Sequence, residues 1–191
     1  MNMREVINLF EARPAAKTST HMAWHGTSNP DIDVRPWVHF GSERAAAHRL
    51  LYRMQAAQDR GLPPIKTYLI GVELTLRGLT RVTDDAGYDL EHSAIVDKLM
   101  SRKRLDPNLR LALEEFSENK PSLWGLNSSE KSGLANIFEQ HGIDGFVYRN
   151  GSEDRGSESY VVLNAKNIRI TTPIQEVTKQ KLRSIYYRAD L

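Results

Sequence analysis

The chain has 191 residues, 40% hydrophobic and 26% charged, a globular composition long enough to bury one good core. Its 26 Lys and Arg against 24 Asp and Glu leave +2, too little to argue nucleic-acid binding from overall charge, and its 12 Gly and 8 Pro exclude a collagen-like chain. The absence of cysteine excludes disulfides, thiol nucleophiles and sulfur-ligated zinc, so any nucleophile is oxygen or nitrogen.

The first residues are interrupted by Arg4, Asn8, Glu11 and Arg13 and lack the apolar middle of a secretory signal, so they predict an amphipathic helix over about 3–11 and a cytoplasmic protein. Ser19 to Trp24 reads as a strand, ended by the turn formers Gly26, Thr27, Ser28, Asn29 and Pro30, which puts His25 at a strand end. A short strand over 37–40 follows, closed by Gly41. Ser42 then caps a helix of about 17 residues patterned on Ala45, Ala46, Leu50, Leu51 and Met54. Residues 65–74 carry the β-branched and aromatic enrichment of a central strand. Helical spacing recurs over 91–104, 107–118 and 128–141, the last stopped by Gly142. Strands follow at 145–149, 159–163 and 168–170, then a basic C-terminal helix. With no repeat, no long linker and no apolar run of the roughly 18 residues a membrane helix needs, residues 1–191 form one α+β domain with a helical middle at about 91–141.

Two basic clusters stand out, Lys98, Arg102, Lys103, Arg104 and Arg110 in one stretch and Lys179, Lys181, Arg183 and Arg188 in another; each reads as a solvated helix face or a surface for a phosphate-bearing or acidic partner. Reactive side chains gather beside glycines in three places. In Trp24-His25-Gly26-Thr27-Ser28 an imidazole stands next to a bare backbone able to offer N–H and C=O to a carboxamide. In Val38-His39-Phe40-Gly41-Ser42, strand alternation sends Phe40 to the core and His39 to the opposite face, with His48 or Tyr52 farther along the helix. The third is Asp144 through Asn150, the loop carrying Glu153, Asp154 and Arg155, and then Glu158 through Val162, where a hairpin brings acids and arginine to one mouth. His21 and His25 have the spacing of two metal ligands on a helix, but the segment reads as a strand and no metal is expected.

These ordered segments resemble the ADP-ribosyltransferase fold, in its histidine-led branch shared by diphtheria-type toxins, poly-ADP-ribose polymerases and bacteriophage transferase domains, over roughly 20–50 and 140–170. The resemblance implies a split β-sheet core with an inserted helical segment, and transfer of ADP-ribose from NAD to a protein or nucleic-acid acceptor with release of nicotinamide. It implies that His25 orients the NAD ribose and that Gly26 and Thr27 hold the carboxamide. His39, Phe40 and Ser42 correspond to the second-strand motif. A phage or bacterial source, and with it a host-cell cytoplasm, is implied only by this resemblance.

Two departures are visible. His39 stands where toxins and polymerases have a stacking tyrosine, and Leu50 where a second tyrosine often lies. The closing-strand glutamate aligns with Ser159, while Glu158 is one residue earlier and faces the other way by strand alternation. Cleaving the glycosidic bond of NAD develops a cation on the ribose, so negative potential is needed. Glu158 is the expected carboxylate, with Glu153 and Asp154 as loop substitutes; Tyr52 or neutral His39 offers nicotinamide an aromatic face, and Arg35 suits the pyrophosphate. Three alternatives stand beside this reading. The histidine pair and Ser159 resemble the NAD-dependent RNA 2′-phosphotransferase branch; a metal-independent nuclease would use His25, His39 or His48; and a non-catalytic binding or inhibitor protein could retain the fold.

Overall fold

The computed structural model describes residues 17–30, 36–83, 92–119, 123 and 125–188. The helix expected over about 3–11 lies outside them, as does Arg35. The fold is α+β. Strand β1 (Ser19–Thr27) is followed by β2 (Val38–Phe40), helix α1 (Glu43–Asp59), β3 (Tyr68–Leu76) and β4 (Thr80–Arg81). Helices α2 (His92–Met100), α3 (Pro107–Glu118) and α4 (Ser128–Gln140) make the middle, and β5 (Gly145–Arg149), β6 (Glu158–Val162), β7 (Ile168–Ile170), β8 (Gln175–Glu176) and α5 (Lys179–Tyr186) close the chain.

Two sheets form among the described residues. In the first, β3 pairs antiparallel with β1 on one side and with β7 and β8 on the other; the second runs β2-β6-β5-β4, with only β4 and β5 parallel. They are tied where Trp24 and Gly41 exchange backbone hydrogen bonds of 2.8 and 3.0 Å, a single bridge between β1 and β2. The side chains that alternate on the facing surfaces, Ala23, Ile70, Val72 and Leu74 from one sheet and Phe40, Val147, Tyr160 and Val162 from the other, bury each other between the sheets. Outside the first sheet α1 and α5 pack through Ala46, Ala47, Leu50, Leu182 and Ile185; outside the second, α2, α3 and α4 cover Phe146, Tyr148 and Val161. Helix, sheet, sheet and helix thus stack in that order.

Strand β1 continues through His25 and Gly26 to Thr27 instead of ending at Trp24, because β3 runs far enough to pair with every residue down to Tyr68. Gly26 is a strand residue by necessity of space: a Cβ there would stand 2.7 Å from the Ala46 carbonyl oxygen and 2.9 Å from Leu50 Cγ on α1. Ser42 caps α1, as expected, by accepting from the Ala45 N–H at 3.0 Å. Trp37 precedes β2 at φ 74°, a costly conformation for a side chain with a Cβ. It is held there by burial, with the indole stacked on Phe146 at 6.0 Å and its N–H donated to the Lys131 carbonyl at 3.0 Å. The helix expected over 91–104 stops at Met100. Arg110 reaches back to the Met100 and Arg102 carbonyls at 2.9 and 2.7 Å, and the chain turns there. The two-residue strands β4 and β8 carry too little pattern to be read from the sequence.

Candidate active site

The bridge between Trp24 and Gly41 fixes which way the neighbouring backbone points. Groups on alternate strand residues face the same edge, so Gly26, like Trp24, turns its N–H and C=O away from β3 and toward the edge where β1 and β2 diverge. The His39 carbonyl faces the same gap by the same rule, and His25 Nδ1 lies 2.8 Å from it. A carbonyl only accepts, so Nδ1 carries the proton and donates, which leaves Nε2 of a neutral ring with its lone pair. Burial holds the His25 pKa below its ordinary 6.5; the His39 carbonyl opposes this, and the charges of Arg53 and Arg49 on α1 reinforce it. The result is a neutral imidazole acceptor beside a bare backbone edge. Phe40 is 2% exposed and supports the His25 ring from the core, their centroids 5.5 Å apart, so it braces the site without lining it.

The opposite face of the second sheet gathers a separate set. His39 pairs with Val161 across β2 and β6, and its Nδ1 lies 3.3 Å from the Tyr148 hydroxyl, with the rings edge to face at 6.2 Å. Ser159 shares that face, is 2% exposed, and sits under Gly41, whose Cβ would lie 3.0 Å from its hydroxyl. Asn150, also 2% exposed, donates from Nδ2 to Ser159 Oγ at 3.2 Å and to Glu153 Oε2 at 3.0 Å. Its Oδ1 accepts from the N–H groups of Ser152 and Glu153 at 3.0 and 2.9 Å. One buried amide therefore folds the loop and aims its glutamate. Arg49 pairs with Glu153 at 3.3 Å, and Ser42 donates to Asp154 Oδ2 at 2.5 Å, with Arg44 3.9 Å from the same carboxylate. The acid loop is thereby tied to the first two turns of α1, the helix that also covers Gly26.

Glu158 goes elsewhere. Its strand partner is Arg149, it shares a face with Tyr160, and its carboxylate pairs with Arg81 and accepts from the Tyr160 hydroxyl at 3.1 Å. The Arg81 hydrogen bond lowers its pKa, against a smaller effect of burial, and Tyr160 is pushed up to about 12 by burial and by the Glu158 charge. His21 completes this cluster, 3.0 Å from the Tyr160 hydroxyl. The geometry therefore does not bring Glu158 to the face that carries His39. Tyr52 is also turned away: it lies about 160° around α1 from Leu50, the residue over Gly26, and is 63% exposed. His48 lies at the same angle from Leu50 and stacks on Tyr186 of α5 at 4.6 Å, so it does not join His25 either. Thr27 ends β1, its hydroxyl accepting from the Asn29 N–H at 3.1 Å.

Sequence reasoning missed Asn150 and Arg49 as site organisers. The Asn-Gly pair with an acid three residues after the asparagine was a usable signal, because an asparagine side chain caps such a turn. Nothing in the sequence places Arg49 beside Glu153. Among the described residues, no three His, Asp or Glu stand together as a metal site, and no helix is long and apolar enough to cross a membrane. A cavity of about 300 Å³ lies away from the site, lined by Thr80, Leu99, Arg102, Asp106 and His141.

No family model and no curated protein matches the chain. In overall outline it is similar to a chain of the M. tuberculosis MbcT-MbcA toxin-antitoxin complex, with a TM-score of 0.44 and 10% identity over 90% of this chain and 92% of that one.

Proposed function

We propose that the chain transfers ADP-ribose from NAD to a macromolecular acceptor and releases nicotinamide. The observation that carries this reading is the pairing of a neutral His25 acceptor with the backbone of Gly26, turned away from β3 at the parting of β1 and β2. A carboxamide has one donor and one acceptor face, which a strand edge matches with its own C=O and N–H. A ribose hydroxyl donates to the free Nε2 of His25. The C1′–N bond of NAD then breaks heterolytically. Its electron pair goes to the nicotinamide nitrogen, which leaves uncharged, and the ribose carries the cation.

Glu153 supplies the negative potential that this cation requires and takes the proton of the acceptor hydroxyl or amine as the new bond to C1′ forms. It is preferred over Glu158 because Asn150 and Arg49 hold it on the loop bound to α1, whereas Glu158 is held by Arg81 on the other face of β6. Asp154 is engaged by Ser42 and Arg44 and anchors the loop.

Titration calorimetry with NAD, and release of nicotinamide from labelled NAD, test the reading. Wild-type protein is expected to bind NAD and His25→Ala to lose nicotinamide release. Absence of any NAD binding by the wild-type chain overturns it.

A further inference from the structure

Helix α1 carries Arg49 and Arg53, and Arg60 is its C-cap; spacings of four and eleven residues from the first set the three side chains toward one flank. That flank is fixed relative to the site. Arg49 pairs with Glu153, and Arg49 and Arg53 both act on His25 by charge. From Arg49 to Arg60 the helix rises roughly 16 Å. The two phosphates of a dinucleotide share one bridging oxygen and need no such length, whereas a stacked nucleic-acid strand places a phosphate about every 3.4 Å and fills it.

Charge is segregated in the same direction. Residues 43–60 and 179–188 hold eight Lys and Arg against two acids, and with Glu153 and Asp154, which pair with Arg49 and Arg44, the local balance is +4 in a chain whose total is +2. In the other basic stretch Lys98 is bound to the Thr83 carbonyl, Arg102 to that of Arg81 and Arg110 to those of Met100 and Arg102. Beside the arginine flank Tyr52 stands 63% exposed, a large ring facing solvent from the middle of a rigid helix. Guanidinium groups in a row next to an open aromatic ring are what a single strand recognises, phosphates on one and a stacked base on the other.

We infer that the acceptor is a single strand of nucleic acid, laid along α1 with its phosphates on Arg53 and Arg60, a base on Tyr52, and the modified nucleotide at the Arg49 end beside Glu153. This rests on the transferase reading above. The strand crosses the outer end of the site, where the acid loop meets α1.

The test uses the full chain and a fluorescent 20-nucleotide single-stranded RNA, with the matching DNA, titrated at several salt concentrations beside NAD calorimetry. The double variant Arg53→Glu, Arg60→Glu is expected to bind at least tenfold more weakly, with the slope of log affinity against log salt reduced by about 1.4 for two lost phosphate contacts. Tyr52→Ala is expected to lose about fivefold or more. Arg60→Glu alone leaves NAD affinity unchanged, and label from NAD appears in the oligonucleotide. Salt curves of the double variant that superimpose on wild type overturn the inference. So does displacement by poly-glutamate as effective as by RNA with no effect of Tyr52→Ala, or label confined to protein. If NAD binds and the oligonucleotide does not, the inference fails and the transferase reading stands. If the oligonucleotide binds as described and NAD does not, the transferase reading fails and the strand surface stands.

Discussion

Two clusters of the same side-chain types lie on opposite faces of β6. On one face Glu153 is grouped with Arg49, Asn150 and Ser159; on the other, Glu158 is grouped with Arg81, Tyr160 and His21. Each has a carboxylate, an arginine and polar neighbours, so composition does not separate them. Attachment does. Glu158 stands on a strand whose face is set by the sheet, and its arginine comes from the edge strand β4. Glu153 stands on a loop that a buried asparagine folds back onto the helix covering Gly26. The lesson is that a residue's position relative to a reaction centre depends on what its element is fastened to, and that five residues along the chain can mean opposite sides of a layer.

Neutralising each acid in turn separates the two clusters. Glu153→Gln is expected to lower nicotinamide release by about 10² to 10³, the range for removing a group that acts on developing charge, and Glu158→Gln by less than threefold. The reverse order in a steady-state assay would assign the chemistry to the other face. His25→Ala is expected to cost about 10² in the same assay, with His21→Ala close to wild type, although both imidazoles lie on one face of β1.

Asn150→Ala comes next. It strands the buried Ser159 hydroxyl and frees the loop, so about 1–3 kcal/mol of stability is expected to be lost in chemical denaturation. Because Asn150 acts through Glu153, kcat is expected to fall while the KM for NAD stays near wild type, a division that simple destabilisation does not produce.

A smaller effect is set by pH. The folded His25 pKa lies below 6.5, so the unfolded chain binds the additional proton and stability rises with pH. The contribution is present above about pH 6.5 and is lost as pH falls through the folded value. His25→Gln, measured by denaturation between pH 5 and about 7.5, should flatten this dependence relative to wild type. Smallest of all, Arg81→Ala removes an ion pair whose side chains are 63% and 44% exposed and is expected to change stability by less than about 1 kcal/mol.

Where local pattern dominates, the chain could be read directly. The helix after Ser42 was legible because a capping residue and a run of alanine and leucine at helical spacing act within a few residues, and the strand at 145–149 likewise has the bounds its pattern suggests. The end of β1 was not legible. Turn-forming residues suggested a stop at Trp24, and only the length of β3 keeps the strand going through His25 and Gly26. The site divides similarly. His25 and Gly26 are recognisable as a histidine beside a glycine, and alternation along β6 correctly sends Glu158 and Ser159 to different faces. Arg49 was invisible, because a salt bridge spanning 104 residues leaves no periodic trace. Tyr52 has the ring that nicotinamide needs, but the rotation of α1 leaves it exposed.

Local pattern fixes most of the elements, their capping, the side on which each strand residue projects and the chemistry each side chain can offer, because these follow from bonds and contacts only a few residues long. Long-range packing sets which tautomer His25 adopts, which carboxylate stands beside α1 and which of that helix's side chains are exposed. Each of these depends on groups far apart in the chain meeting at hydrogen-bond distance, and that is settled by how two sheets and their covering helices pack.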